Sequence, residues 1–528
     1  MRIKFIYLLA TAFVFANCAC EGPQVPGQNE QVDAPRVTKL TNAGFELGFE
    51  GWEISGDKAA AKVSDKACHG AKSASLAADA AADVVLTKSV DNFEDGLYDL
   101  TFYYKRSKSG IGACYVGTGA DVTNLRLTAL ECSEDVWKVG RVRGIEVRDG
   151  NLTVQIRCET EVSGALCLID GLSFEKADEK FELLKGGDIS ELTLVEQEGG
   201  KYYWDGKEMD CVKLLKEGGF NIVRLRLYND PGNPGHYPSN ILPAGIQDEE
   251  DILRLARRAK EEGMQIQMTF HYSDSWTNGN DQYLPHEWKD MTFPQLKTAV
   301  YDYTKDFLQR MKDQGTEPEY VSLGNETQAG MLYPFGSVKN MSQLCDLYNA
   351  GAKAVRHTSP DAKIIIHSDG GGDLGKYSWY FGEMKKYSVD YDIIGASYYP
   401  FWTNLAVSSI IPWAKTVTEM FGKPIILMEC GYAWNKTLPN GYPGQLSHNG
   451  PYNDMTKLGQ KNFMLEVFGQ IKANPEANIL GVLYWDPIFI EAGDAGWAVS
   501  GDNVVSNTTL FDFNGNALEV FDAFKYNN

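Results

Sequence analysis

With 528 residues, the chain exceeds one ordinary domain, although a barrel of parallel strands can absorb about 250 or more of them. Its formal charge of −21 argues against nucleic acid or an anionic membrane face as partner and fits a protein that handles neutral ligands. A hydrophobic content of 43% with 11 Trp and 27 Tyr describes a globular protein rich in aromatic surface, of the kind on which sugar rings stack.

Residues 1–20 read as a signal segment. Arg2 and Lys4 flank an apolar run from Phe5 to Phe15 that is too short to span a bilayer. Ala19-Cys20 resembles a lipoprotein lipobox, which makes Cys20 the expected lipid anchor and the only expected tie to a membrane. The chain is then exported, as an outer-membrane or cell-surface lipoprotein of a Gram-negative bacterium, otherwise periplasmic or secreted. Residues 21–36, rich in Gly, Pro, Gln and Glu, form a tether. Of ten cysteines, five cluster between Cys68 and Cys167 with no zinc-ligand spacing, and their pairing stays open.

Residues 37–176 carry short alternating runs such as Leu97–Tyr104, Leu152–Arg157 and Ala165–Asp170, separated by Gly, Asp and Ser turns. Such a run of strands without helical periodicity predicts a β-sandwich. Asn42-Ala-Gly-Phe-Glu46 with Trp52, and the closing Ile169–Phe174, resemble the first and last strands of jelly-roll carbohydrate-binding modules. That resemblance implies a structural calcium held by Glu46 and Asp170.

After a charged join at 177–180, residues 181–528 alternate strands and helices. Strands are expected at Leu183–Asp188, Asn221–Leu227, Gln265–Phe270, Tyr320–Gly324, Lys363–His367, Ile393–Ser397, Pro424–Met428 and Ile479–Tyr484. Amphipathic helices are expected between them, over 249–262, 296–312 and 344–356. Eight such units predict a (β/α)8 barrel, and no Gly-rich phosphate loop follows the first strand to favour an open sheet.

Active sites of such barrels lie at the carboxyl ends of the strands. Strand four ends in Asn325-Glu326, and strand seven is followed by Glu429. Two strand-terminal carboxylates facing one cleft are what a retaining glycosidase uses. The remaining strand ends offer Arg224 and Arg226; His271, Asp274 and Trp276; Asp369; Tyr398 and Trp402; and Trp485. A tyrosine hydroxyl of the Tyr398 segment is expected to orient the nucleophile, and the tryptophans to stack on sugar.

The Asn-Glu and Glu pair resembles the clan A retaining glycoside hydrolases. More narrowly, Gly187–Ser190, Gly219–Arg226, Phe270–Asp274, Gly324–Thr327, Ser397–Pro400, Tyr484–Pro487 and Leu510–Leu518 resemble family 53, the endo-β-1,4-galactanases. The resemblance implies Glu326 as acid/base, Glu429 as nucleophile, Asn325 on the sugar 2-hydroxyl, and the other named residues around a β-1,4-galactan chain. No cofactor is implied for catalysis, and a monomer is expected. Two departures stand out: Asp486 occupies a position that is usually Glu, and Asn435–Asp454 lacks the acidic run of members with a barrel calcium. The rival readings are another clan A endo-glycanase (mannan, xylan or β-glucan) and a catalytically silent glycan-binding protein.

Overall fold

The structure, a computed structural model, describes residues 40–528 apart from 92, 135, 234–240, 280 and 500. The signal segment, Cys20 and the tether lie outside the described residues. No helix among those described is long and apolar enough to cross a membrane.

Residues 53–176 fold as two five-stranded antiparallel sheets. One is ordered Glu53–Gly56, Ala82–Val90, Leu152–Thr160, Ile111–Gly119, Leu125–Ala129; the other Ala61–Ser64, Ser73–Ala77, Leu166–Lys176, Gly96–Arg106, Lys138–Val147. The inward residues recur at a spacing of two, as Val84 and Leu86 or Val154, Ile156 and Cys158 do, and they bury one core between the sheets. Glu46 and Asp170 both brace one loop of this domain. Glu46 accepts from the amides of Ala71 and Lys72, and Asp170 Oδ2 from those of Cys68 and His69. Asp170 Oδ1 is buried without a hydrogen-bond partner, which leaves one carboxylate oxygen that fits a cation.

The second part is a closed barrel of eight parallel strands: Leu184–Asp188, Ile222–Leu227, Gln265–Phe270, Tyr320–Leu323, Lys363–Ser368, Ile393–Tyr398, Ile425–Cys430 and Ile479–Tyr484. Strands covered on both faces read as apolar runs, which is why all eight were visible in the sequence. Leu184, Ile222, Ile365, Ile393, Ile426, Met428 and Leu483 pack together as one apolar cluster in the barrel interior. Above that cluster the inward positions turn polar, and the cleft begins there. Gly395 lies in the inner wall where a Cβ would come 2.8 Å from Met428 Cγ and 2.9 Å from Ile365 Cγ2. Any side chain there would crowd the floor.

Outer helices bury the predicted faces. In Glu249–Glu261 the buried set includes Ile252, Leu253, Leu255, Ala256 and Ala259, and Asp248 caps the first turn by accepting from the Asp251 amide. Phe293–Asp313 and Met341–Thr358 begin three residues earlier than the apolar pattern does. Thr292 and Gln295 form a capping box at the first of these, and an opening turn needs caps rather than apolar residues.

The sandwich leans on the helix Lys457–Ala473 and on the chain terminus. Gln470 donates to Glu131 (2.9 Å) and Lys472 to the Leu127 carbonyl (2.6 Å). Tyr526 stacks on Tyr115 with ring centroids 5.3 Å apart. The amide of Ala129 donates to the Tyr526 carbonyl, and that of Asn528 to Leu127, so the last residues pair with the edge strand Leu125–Ala129.

Candidate active site

The strand ends surround an open cleft of about 740 Å³, lined among others by Asn325, Glu326, Asp369, Tyr399, Glu429 and Trp485. One carboxylate oxygen of Glu326, one of Glu429 and a ring nitrogen of His367 all lie within 4.8 Å of one another. The two acids therefore face each other, their nearest oxygens closer than the roughly 6.5–9.5 Å between the carboxyl groups of inverting glycosidases and compatible with the roughly 5–5.5 Å of retaining ones.

Local backbone sets both acids. After strand four, Gly324 turns the chain at φ +87°, and Glu326 itself is held at φ +46°, a left-handed conformation that a side-chain-bearing residue keeps only where its surroundings fix it. Strand seven continues to Cys430, past the expected end at Met428. Its ladder slips against both neighbours between Leu427 and Cys430. This irregularity lets Met428 face the barrel floor and the next residue, Glu429, reach the cleft. Cys430 is buried, and burial pushes its thiol up, so it is no nucleophile.

The two carboxylates meet different partners. Glu429 accepts from Arg224 through Oε1 (2.8 Å) and from the Tyr399 hydroxyl through Oε2 (2.9 Å). Glu326 accepts from the Ser397 hydroxyl (2.7 Å), which lies 2.9 Å from His367 Nε2. Since Ser397 spends its proton on Glu326, His367 is the donor to Ser397. Burial and the Arg224 charge hold this imidazole well below its usual range, in its neutral form. Burial pushes Glu326 up to about 8, with the Glu429 charge adding to the rise. One acid thus carries a proton near neutrality and the other faces a guanidinium. That division suits a proton donor and a nucleophile.

Arg224 also donates to Asn325 Oδ1 (2.6 Å), whose amide nitrogen donates to the Thr277 carbonyl. Trp485, Trp276 and Asp369 line the cleft as expected, Asp369 paired to Lys376 at 2.6 Å. Trp402 stands at the rim, 62% exposed. Trp276 stacks on Trp497 at 5.1 Å with planes 9° apart, and Trp485 closes the aromatic group.

Several expectations need correction. Tyr398 points away from the cleft and donates to the Leu405 carbonyl; its neighbour Tyr399 holds Glu429. Arg226, His271 and Asp274 do not line the cleft. Arg226 pairs with Asp188 and Glu191 and lies under Trp276, 4.9 Å from its ring. His271 is fully buried against Tyr228, with Nδ1 2.6 Å from Thr277. Asp274 accepts from the His286 amide and so pins its own loop. Asp486 is buried behind the wall beside Glu191 and Asp188, whose charges together with burial push it well above the usual carboxylate range. Its shorter side chain therefore changes the packing behind the cleft rather than a direct contact within it.

Tyr399, Ser397, His367 and Trp497 were not among the expected site residues. A signal existed for the first three. Ile393 faces the interior, so the period of two leads through Gly395 and Ser397 to Tyr399, and Ile365 leads likewise to His367 and Asp369. Trp497 comes from an irregular loop and has no such signal.

A family model described as glycosyl hydrolase family 53 matches residues 184–524. An endo-β-1,4-galactanase of Bacillus subtilis is 30% identical over 378 residues, covering 65% of this chain and 86% of its own. Among solved structures, the GH53 catalytic domain of Ignisphaera aggregans superposes with a TM-score of 0.62 at 30% identity, over 66% of this chain and 98% of its own. A fungal β-1,4-galactanase gives 0.55 at 26% identity, over 65% and 98%.

Proposed function

The chain belongs to glycosyl hydrolase family 53, and from that premise we propose that it is a retaining endo-hydrolase of β-1,4-galactan that releases galacto-oligosaccharides. The supporting observation is the pair of facing carboxylates with unlike partners. Glu326, protonated, donates to the leaving glycosidic oxygen while Glu429 attacks the anomeric carbon and forms a covalent galactosyl ester. Glu326, now a carboxylate, takes a proton from water, and that water opens the ester from the face the leaving group vacated. Arg224 and Tyr399 keep both oxygens of Glu429 aimed, and the turn that carries Glu326 also carries Asn325 to the sugar 2-hydroxyl. Trp485 floors the subsite of the sugar being cleaved, and Trp402 offers a stacking face at the rim.

The same proposal includes export through the N-terminal signal with lipid attachment at Cys20, and a sandwich that acts as a carbohydrate-binding module. The unpartnered Asp170 oxygen is consistent with a calcium held there with Glu46, which would stabilise a loop and supply no chemistry.

The test is hydrolysis of β-1,4-galactan, with products sized by chromatography and their new anomeric ends followed by NMR. Short oligosaccharides appearing early, with β-configured ends first, are expected. Initial α ends would overturn the double displacement. Silence on galactan with turnover of mannan, xylan or β-glucan would overturn the substrate but keep the mechanism.

A further inference from the structure

Three cysteines meet inside the sandwich, far from the cleft in sequence and in role. Cys114 and Cys158 are direct cross-strand partners in one sheet, and Cys167 comes from the facing sheet. The ladder slips between Ile111 and Cys114, and such a bulge re-aims the side chains that follow it. All three are buried, at 4%, 0% and 0% exposure, none is in a disulfide, and their sulfurs lie within 4.8 Å of one another. Three thiolates that bind one ion at ~2.3 Å each form a triangle with sides of about 4 Å, which this arrangement accommodates.

From this geometry we propose that Cys114, Cys158 and Cys167 form a three-coordinate site for a soft, thiophilic d10 metal ion such as Cu(I). Sulfur ligands select such ions over the hard cations that carboxylates hold. Positive charge stands in the same core: Arg106 is the cross-strand partner of Cys167. Arg106 is itself 2% exposed, and its Nε has no hydrogen-bond partner, so a compensating cation is already built into the core. The three thiol protons leave to solvent as the sulfurs join the ion, with no change in oxidation state of metal or sulfur. Because both sheets supply ligands, the ion would act as a cross-brace of the sandwich and leave the barrel chemistry untouched.

Cu(I) titration of the reduced full chain against a chromophoric chelator tests this. One ion per chain is expected, with a thiolate-to-copper ultraviolet band and a higher thermal midpoint. Cys114→Ser, Cys158→Ser and Cys167→Ser should each weaken binding by at least the ~100-fold that loss of a supporting contact alone can cost, while Cys345→Ser should bind normally and all four should hydrolyse polysaccharide at the parent rate. X-ray absorption of the loaded parent protein, expected to show three sulfur neighbours, decides the matter if a serine variant fails to fold. No Cu(I) bound by the reduced folded chain, unchanged binding by all three serine variants, or a disulfide within the trio of the protein as isolated would each overturn the site.

Discussion

Glu326 is more acidic unfolded than folded, and this sets two pH effects of the same sign. Burial and Glu429 raise it from 4.5 to about 8, while Ser397 pulls it back. Its proton is needed for the first chemical step, so kcat/KM, which reports the free enzyme, should fall as pH rises through about 8. Ser397→Ala removes the opposing hydrogen bond and should move that alkaline limb upward in a pH–rate profile. For stability the sign is the same. The folded chain binds this proton more tightly than the unfolded chain, so the contribution is full below about 4.5 and is lost as pH rises through about 8. Glu326→Gln, neutral throughout, should therefore melt higher than the parent at pH 8 and equally at pH 4, while losing about 10²–10⁴ in rate. Glu429→Gln should be at least as inactive, since no nucleophile remains. The tyrosines separate in the same way. Tyr399→Phe deletes a donor to Glu429 and should cost ~10–100-fold in kcat, the equivalent of about 1.5–3 kcal/mol for a hydrogen bond to a charged group. Tyr398→Phe loses bonds to Leu405 and Tyr452 outside the cleft and should lower the thermal midpoint slightly at the parent rate.

At the scale of elements, the cleft depends on two breaks in regularity: the turn at Gly324 and the slipped ladder near Met428. Gly324→Ala asks an L-residue to adopt φ +87° and brings a Cβ within 2.5 Å of Thr327 Cγ2. It should destabilise the fold by roughly 1–2 kcal/mol from the backbone alone and reduce turnover further by moving Asn325 and Glu326, as a thermal scan and a rate measurement would show together. These breaks also explain what could be read from the sequence. Apolar runs bounded by turns disclosed all eight barrel strands, and the acids at or just beyond two of them disclosed Glu326 and Glu429. Register was harder. Alternation from Ile393 leads to Tyr399, yet Tyr398 and Tyr399 look alike to composition. In strand seven alternation fails outright, because Met428 and Glu429 serve one side of the sheet. Arg226, His271 and Asp274 carry the residue types of a site but spend their polarity on Glu191, Thr277 and His286. Which partner satisfies a buried polar group is a fact of tertiary contact that a linear pattern does not encode.

At the scale of the whole molecule, barrel and sandwich share a covalent join at one end and a non-covalent one at the other. The chain enters the barrel beside the sandwich, where Arg126 donates to the Phe181 carbonyl at 2.7 Å, and returns to it through Tyr526–Asn528. Deleting residues 526–528 removes the ring stack on Tyr115 and the backbone pairing with Leu125–Ala129. Calorimetry should then show the single parent transition lowered, or split into two with the sandwich melting first, while the unmelted enzyme keeps its activity.

This pairing also decides what the strand can do elsewhere. An uncovered strand edge is a template for wrong partners, and Tyr526–Asn528 occupies that of Leu125–Ala129. The three residues that fasten sandwich to barrel are thus also a stopper: with them removed the edge is open to neighbouring molecules, and the protein should clump on warming sooner than the parent does.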